Sequence, residues 1–213
     1  MKLQLYFLRH GQTTHSRDEK FCGCGTEAQL TNDGLEMAHC FGNKYASRDW
    51  TKIFCSPQIR AQKTAEPLCL SLGVKPDIRE GLREINYGKW EDRTLVDVRA
   101  EYGNYYDTWV DNPSAVHPPD GETADEIAAR ALSVIEEIKT RYASGNFLLV
   151  SHKATIRITL CALLGIDLAR FRQRIYCPVA SLSHIELTSS GAMLKSLGDV
   201  SHLDVRLQEL PGS

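Results

Sequence analysis

Leu3-Gln4-Leu5-Tyr6-Phe7-Leu8-Arg9-His10-Gly11 decides the fold of this chain. A short, mostly apolar run that ends in two basic residues and a glycine describes a buried strand emptying into a turn. The pattern returns twice, in Ile53-Phe54-Cys55 before Ser56-Pro57 and in Phe147-Leu148-Leu149-Val150 before Ser151-His152. Helical patterns lie between these runs. Thr31-Asn32-Asp33 starts a helix in which Leu35, Ala38, Phe41 and Tyr45 recur at helical spacing. Ser56 reads as an N-cap with Pro57 at the first helical position, which puts Arg60 near the first turn. Thr123-Ala124-Asp125-Glu126 is a capping box ahead of one apolar stripe, Ile127, Ala131, Val134, Ile135, Ile138 and Tyr142. Residues 154–164 form a further helix closed by Gly165, and residues 182–187 and 192–197 a hairpin around Ser189-Ser190-Gly191. Strands alternating with helices predict an α/β three-layer sandwich. A mostly parallel central sheet is flanked by helices, with ligands gathered at the carboxyl ends of the strands.

The 213 residues are expected to form a single domain over 1–213. Residues 90–122, with Tyr102, Tyr105, Tyr106 and Trp109 in a polar setting and Pro113, Pro118 and Pro119 behind them, predict a small helical insertion with a lid-like loop. The tail at 204–213 is expected to fray. A net charge of −2 supplies no global positive field, so nucleic acid and an anionic membrane are not expected partners and any anion site must be local. Seven cysteines, several inside apolar runs, argue against a disulfide framework, and Cys22-Gly23-Cys24 lacks the companions of a zinc site. The amino-terminal apolar run is short and interrupted, and no stretch of 18 apolar residues occurs; a cytoplasmic protein is expected.

Three of the predicted strand or helix ends carry ionisable groups: Arg9-His10, Arg60 and Ser151-His152. A guanidinium beside His10 disfavours protonation of its ring and keeps a nitrogen lone pair free for attack. Arg9 and Arg60 can grip phosphate oxygens bidentately, and His152 adds a donor to the same pocket. Phosphoryl transfer needs positioning, charge neutralisation and a proton for the leaving oxygen. Glu84, next to a turn at Asn86-Tyr87-Gly88, stands best for that proton. Each residue alone has a plainer reading: a histidine at a strand end is usually a capping or surface residue, and an arginine on a first helical turn is usually solvated. Two histidines and two arginines at three ends of one sheet favour a phosphate site, without deciding it.

Phe7-Leu8-Arg9-His10-Gly11-Gln12-Thr13 resembles the signature of the histidine phosphatase superfamily, the group that includes cofactor-dependent phosphoglycerate mutase. Further blocks follow in order: Leu30-Thr31-Asn32-Asp33-Gly34, Ser56-Pro57-Gln58-Ile59-Arg60-Ala61, Leu82-Arg83-Glu84-Ile85-Asn86-Tyr87-Gly88-Lys89-Trp90-Glu91, Gly121-Glu122-Thr123 and Val150-Ser151-His152. The resemblance implies that His10 attacks phosphorus to give a phosphohistidine. Arg9, Arg60 and His152 hold the phosphoryl group, and Glu84 gives the leaving-group proton and then helps water hydrolyse the intermediate. No metal or other cofactor is implied.

The chain departs from the pattern at several places. Ser16 stands where the family often has Asn, Lys153 where Gly is common, and Asp92 where Gly is frequent. Cys22 and Gly23 fall in a substrate-lining loop, and His202 is expected at the surface. Residues 151–158 and 160–168 look most like metal-independent phosphoserine phosphatases, with Ser16, Cys22, Gly23, Tyr87 and Lys153 as substrate-binding candidates and Lys153 facing a substrate carboxylate. A phosphomonoester hydrolase for a small phosphorylated metabolite, phosphoserine foremost, is therefore expected. Another sugar- or nucleoside-phosphate phosphatase, a phosphoglycerate mutase and a non-catalytic phospho-ligand-binding protein stay open. The apolar strip at 166–175 and the carboxyl-terminal hairpin offer a surface for a homodimer.

Overall fold

The computed structural model describes residues 2–212; Met1 and Ser213, the ends of the expected 1–213 domain, lie outside the described residues. The opening apolar run forms β1 (Lys2–Arg9). Its side chains alternate between two apolar layers, Leu3, Leu5 and Phe7 into one and Tyr6 and Leu8 into the other, as a strand covered on both faces requires. The one-turn helix α1 (Thr14–Arg17) follows, then α2 (Asn32–Tyr45), β2 (Lys52–Cys55), α3 (Ile59–Leu72) and the short β3 (Asp77–Ile78). Next come α4 (Leu95–Tyr102), α5 (Asn104–Asp111), α6 (Ala124–Arg141), β4 (Ser144–Ser151) and α7 (Lys153–Leu164). The chain finishes with α8 (Phe171–Arg174), the hairpin β5 (Leu182–Thr188) and β6 (Gly191–Asp199), and α9 (Val205–Gln208).

The sheet order is β3-β2-β4-β1-β5-β6. Strands β3, β2, β4 and β1 are parallel, β5 is antiparallel to β1, and β6 is antiparallel to β5. Phe41 and Tyr45 of α2 and Ala61, Ala65 and Leu68 of α3 cover one face; Ile127, Ile135 and Ile138 of α6 and Ile156, Ile158 and Leu160 of α7 cover the other. The architecture is thus the expected α/β sandwich. Register places the chemistry: Arg9 lies opposite Ser151, and Cys55 opposite Val150. The residues that follow, His10, His152 and Ser56, therefore leave neighbouring strands at the same edge.

Several expectations change. The helix after β2 begins at Ile59, and its N-cap is Gln58 rather than Ser56. The Ser56 hydroxyl is engaged instead by the His152 ring, with Nε2 to Oγ at 2.7 Å. Of the aromatic residues in 90–122, Trp109 does not sit in a polar setting: it is 2% exposed and its ring lies 4.9 Å from that of Trp90, whereas Tyr105 is 40% exposed. The tail does not fray through its described part. Leu207 is fully buried, Arg206 pairs with Asp33 and Glu36, and the Pro211 and Gly212 carbonyls accept from Gln12 Nε2 and Arg9 Nη1. His202 is half-buried against Phe41 and Tyr45 rather than at the surface, and burial pushes its pKa down to about 4. Among the described residues, no helix is long and apolar enough to cross a membrane, and no group of three metal-ligating side chains forms around Cys22 and Cys24 or elsewhere.

Candidate active site

A cavity of about 360 Å³ opens at the carboxyl ends of β1 and β4, with Arg9, His10 and Glu84 among the residues that line it. Its floor depends on a close approach of backbones after β1. A Cβ on Gly11 would lie 2.5 Å from the Gly34 carbonyl oxygen, and one on Gly34 would run into the Gln12 carbonyl. Only glycine fits at both places, so the turn after His10 is clamped onto the first turn of α2. Gly11 N–H also donates to Thr64 Oγ1 at 3.0 Å, tying the turn to α3.

His10 is 6% exposed, and its Nδ1 lies 2.7 Å from the Gly11 carbonyl oxygen. A carbonyl only accepts, so the proton sits on Nδ1, and in the neutral ring the lone pair is on Nε2. Burial first, then the Arg60 and Arg9 guanidinium groups, hold the His10 pKa well below the usual imidazole range. His152 is fully buried, its ring centroid 5.1 Å from that of His10. Its Nδ1 accepts from Arg60 Nε at 3.2 Å, which leaves Nε2–H to donate to Ser56 Oγ. Burial, followed by Arg60, keeps this ring neutral as well.

Arg9 points a guanidinium nitrogen at the Cys177 carbonyl, 2.8 Å away, and lines the cavity. Arg60 and His152 do not line it; they stand behind His10. Arg60 donates to the carbonyls of Thr26 at 2.9 Å, Gly23 at 3.0 Å and Cys22 at 3.4 Å. Gly23 is likewise absent from the lining: its carbonyl also accepts from Gln58 Nε2 at 2.9 Å, and Glu91 and the Ile85 carbonyl leave no room for a side chain there. Its carbonyl is one of those that hold Arg60. Ser16, Cys22, Tyr87 and Lys153 do face the cavity. Burial lifts the Cys22 thiol to about 11 and raises the Tyr87 phenol, and burial with Arg9 and Arg157 lowers Lys153 to about 7.

Glu84 is 5% exposed and sits over the amino terminus of α7. Its Oε2 accepts from Ala154 N–H at 3.2 Å, and its Oε1 from Thr155 N–H at 3.1 Å and Ile85 N–H at 2.9 Å. The unpaired N–H groups of a helix start suit a carboxylate. Two residues that the sequence reading passed over fix this segment. Gln58 Oε1 accepts from Glu84 N–H at 2.7 Å, and Arg130 donates to the carbonyls of Gly81, Arg83 and Glu84 while pairing with Glu122. Also unforeseen were Arg157 and Arg172 in the lining, beside Phe21, Tyr106 and Trp109. Arg157 was accessible to reasoning, four residues after Lys153 and so on the same helix face. Arg172 was not, since it lies in the polar run Arg170-Phe171-Arg172-Gln173-Arg174.

A family model described as the histidine phosphatase superfamily, branch 1, matches residues 5–200. The chain belongs to that superfamily. This histidine phosphatase is therefore an enzyme of the phosphomonoesterase and mutase class. It is 28% identical over 200 residues to a Hydrogenobacter thermophilus protein named "Putative phosphoserine phosphatase 2", across 93% of this chain and 97% of that one. It is equally 28% identical over 208 residues to a Yersinia pestis protein named "Probable phosphoglycerate mutase GpmB", across 95% and 96% of the two. Among solved structures, Bacillus stearothermophilus YhfR superposes with a TM-score of 0.87 at 25% identity, covering 95% of this histidine phosphatase and all of that chain. A mycobacterial glucosyl-3-phosphoglycerate phosphatase shares the fold, with a TM-score of 0.84 at 22% identity over 93% and 99% of the chains.

Proposed function

We infer that the chain is a phosphomonoester hydrolase that works through a phosphohistidine at His10 on a small phosphorylated metabolite. One observation carries the reading: a buried, neutral imidazole whose Nδ1–H is spent on the Gly11 carbonyl, so that Nε2 is the basic nitrogen, in a cavity shared with Arg9 and Glu84. Nε2 attacks phosphorus as the bond to the leaving oxygen breaks, and Glu84 gives that oxygen its proton. The Glu84 carboxylate then takes a proton from water, the water oxygen bonds to phosphorus, and the N–P bond breaks to restore His10. Arg9 balances charge on the equatorial oxygens. Arg60 joins it by releasing the Cys22 carbonyl, its longest bond, and His152 keeps the Arg60 guanidinium in plane.

Phosphoserine is the single substrate to try first, supported by the name of the Hydrogenobacter relative and by Lys153 in the cavity. The Yersinia relative's name favours the second reading, transfer to another acceptor instead of water. The test is phosphate release from phosphoserine and from phenyl phosphate, together with trapping of an acid-labile phosphoprotein. His10→Ala is expected to abolish both signals. Glu84→Gln is expected to slow turnover by about 10²-fold or more while still forming the phosphoprotein from phenyl phosphate. Turnover that survives in His10→Ala sinks the mechanism. A phosphoenzyme that decays only when 3-phosphoglycerate is added selects the mutase.

A further inference from the structure

The cavity is large enough to enclose a whole small ligand rather than a phosphoryl group alone, and its charges exceed what one phosphoryl group needs. Lys153, Arg157 and Arg172 all line it. Among the described residues, no carboxylate lies within ion-pair distance of any of the three, and none of the three side chains donates a hydrogen bond. Arg157 Nε and Arg172 Nη1 are shut off from solvent without a partner, a state that costs free energy unless a ligand completes it. Arg172 is also held in one plane, its guanidinium 3.8 Å from the Trp109 ring centroid and 4.4 Å from that of Phe171. A stacked guanidinium keeps its edge N–H groups for an oxyanion. The buried acid in the lining, Glu84, is already engaged at both oxygens, and Glu19 beside Lys20 is at the exposed rim. Burial pushes Lys153 down to about 7 and Arg172 to about 10, as expected of cations short of counter-charge.

We propose that Lys153, Arg157 and Arg172 form a second anion subsite, which takes a carboxylate or phosphoryl group on the far side of an apolar leaving group. Phe21, Tyr106 and Trp109 supply the apolar wall along which that leaving group lies. The subsite rests on the phosphomonoesterase reading, because it shares that cavity. It also ranks ligands: a second anion is favoured, and an ammonium that brings no carboxylate or phosphoryl group with it is opposed by the guanidinium groups of Arg157 and Arg172.

Phenyl phosphate, 4-carboxyphenyl phosphate, 1,4-phenylene bisphosphate and 4-(aminomethyl)phenyl phosphate form a matched set of probes. Kd is measured by calorimetry on the His10→Ala protein, where nothing turns over, and kcat/KM on the intact enzyme. Both doubly anionic probes are expected to bind at least about tenfold tighter than phenyl phosphate, with the aminomethyl probe weakest. The tighter of the two names the oxyanion. In Arg172→Gln and in Arg157→Gln, each placed on the His10→Ala background, the preference is expected to drop about fivefold or more. A packing defect would weaken every probe alike and leave the ratio standing. Equal Kd for phenyl and carboxyphenyl phosphate, or a preference untouched in both variants, overturns the subsite even if every probe is hydrolysed through His10. Anion-selective binding with no turnover by the intact enzyme keeps the subsite and discards the phosphatase.

Discussion

At His10, position within the sheet sets chemistry through solvation. A ring at the end of β1 loses water, gains two guanidinium neighbours and keeps one nitrogen basic. The expected outcome in a histidine NMR titration is a His10 midpoint well below 6.5; a midpoint at or above 6.5 contradicts the arrangement. The same depression links folding to acidity. His10, His152 and His202 all have folded pKa values below those of the unfolded chain, so the unfolded state binds protons first as pH drops. The stability they contribute is therefore complete above pH 6.5 and is lost as pH falls towards their folded values. His202, at about 4, accounts for up to about 3 kcal/mol of that loss between pH 6.5 and 4. Urea midpoints measured across this range should fall less steeply in His202→Phe than in the parent, and parallel slopes would exclude the assignment. Neither the burial nor the aromatic neighbours of His202 could be read from Ser201-His202-Leu203, because its contacts with Phe41 and Tyr45 come from α2, far back in the chain.

Among the elements, the joints between them matter more than the elements themselves. The turn after β1 presses on the start of α2 at Gly11 and Gly34, and both glycines stand in sequence blocks whose backbones touch. Gly34→Ala is expected to destabilise by about 2 kcal/mol or more through overpacking, seen as a lower denaturant midpoint and a weaker hold on phosphate. An unchanged midpoint would mean that the turn can yield. Strands and long helices were legible because apolar alternation and caps are local: the capping box at Thr123 and the closing Gly165 appear as expected. The start of α3 was misread because Ser56 is a good cap by composition, yet His152, which follows β4 and lies 92 residues after the Arg60 it also holds, takes its hydroxyl. Glu84, Arg9 and His10 were legible as a constellation; the support from Gln58 and Arg130 was not, since buried polar bridges leave no periodic trace.

For the molecule as a whole, the carboxyl-terminal segment belongs to the fold. Leu207 is fully buried among Met37, Val179, Ala180 and Leu203. Leu207→Ala should cost about 2–4 kcal/mol, and a thermal midpoint equal to that of the parent would return the segment to the status of an ornament. The two carbonyls beyond it, at Pro211 and Gly212, meet Gln12 and Arg9, so the last described residues touch the end of β1 and the turn after it. The order β3-β2-β4-β1-β5-β6 has a consequence for synthesis on the ribosome. β1 is made before the other strands but finds β4 only after about 140 further residues have been added, and β5 only after about 180. A nascent chain thus carries the nucleophile proposed at His10 for most of translation without a pocket around it, and the proposed chemistry switches on only when the late strands dock. Any stalled or clipped product short of β4 would be inert towards phosphate esters.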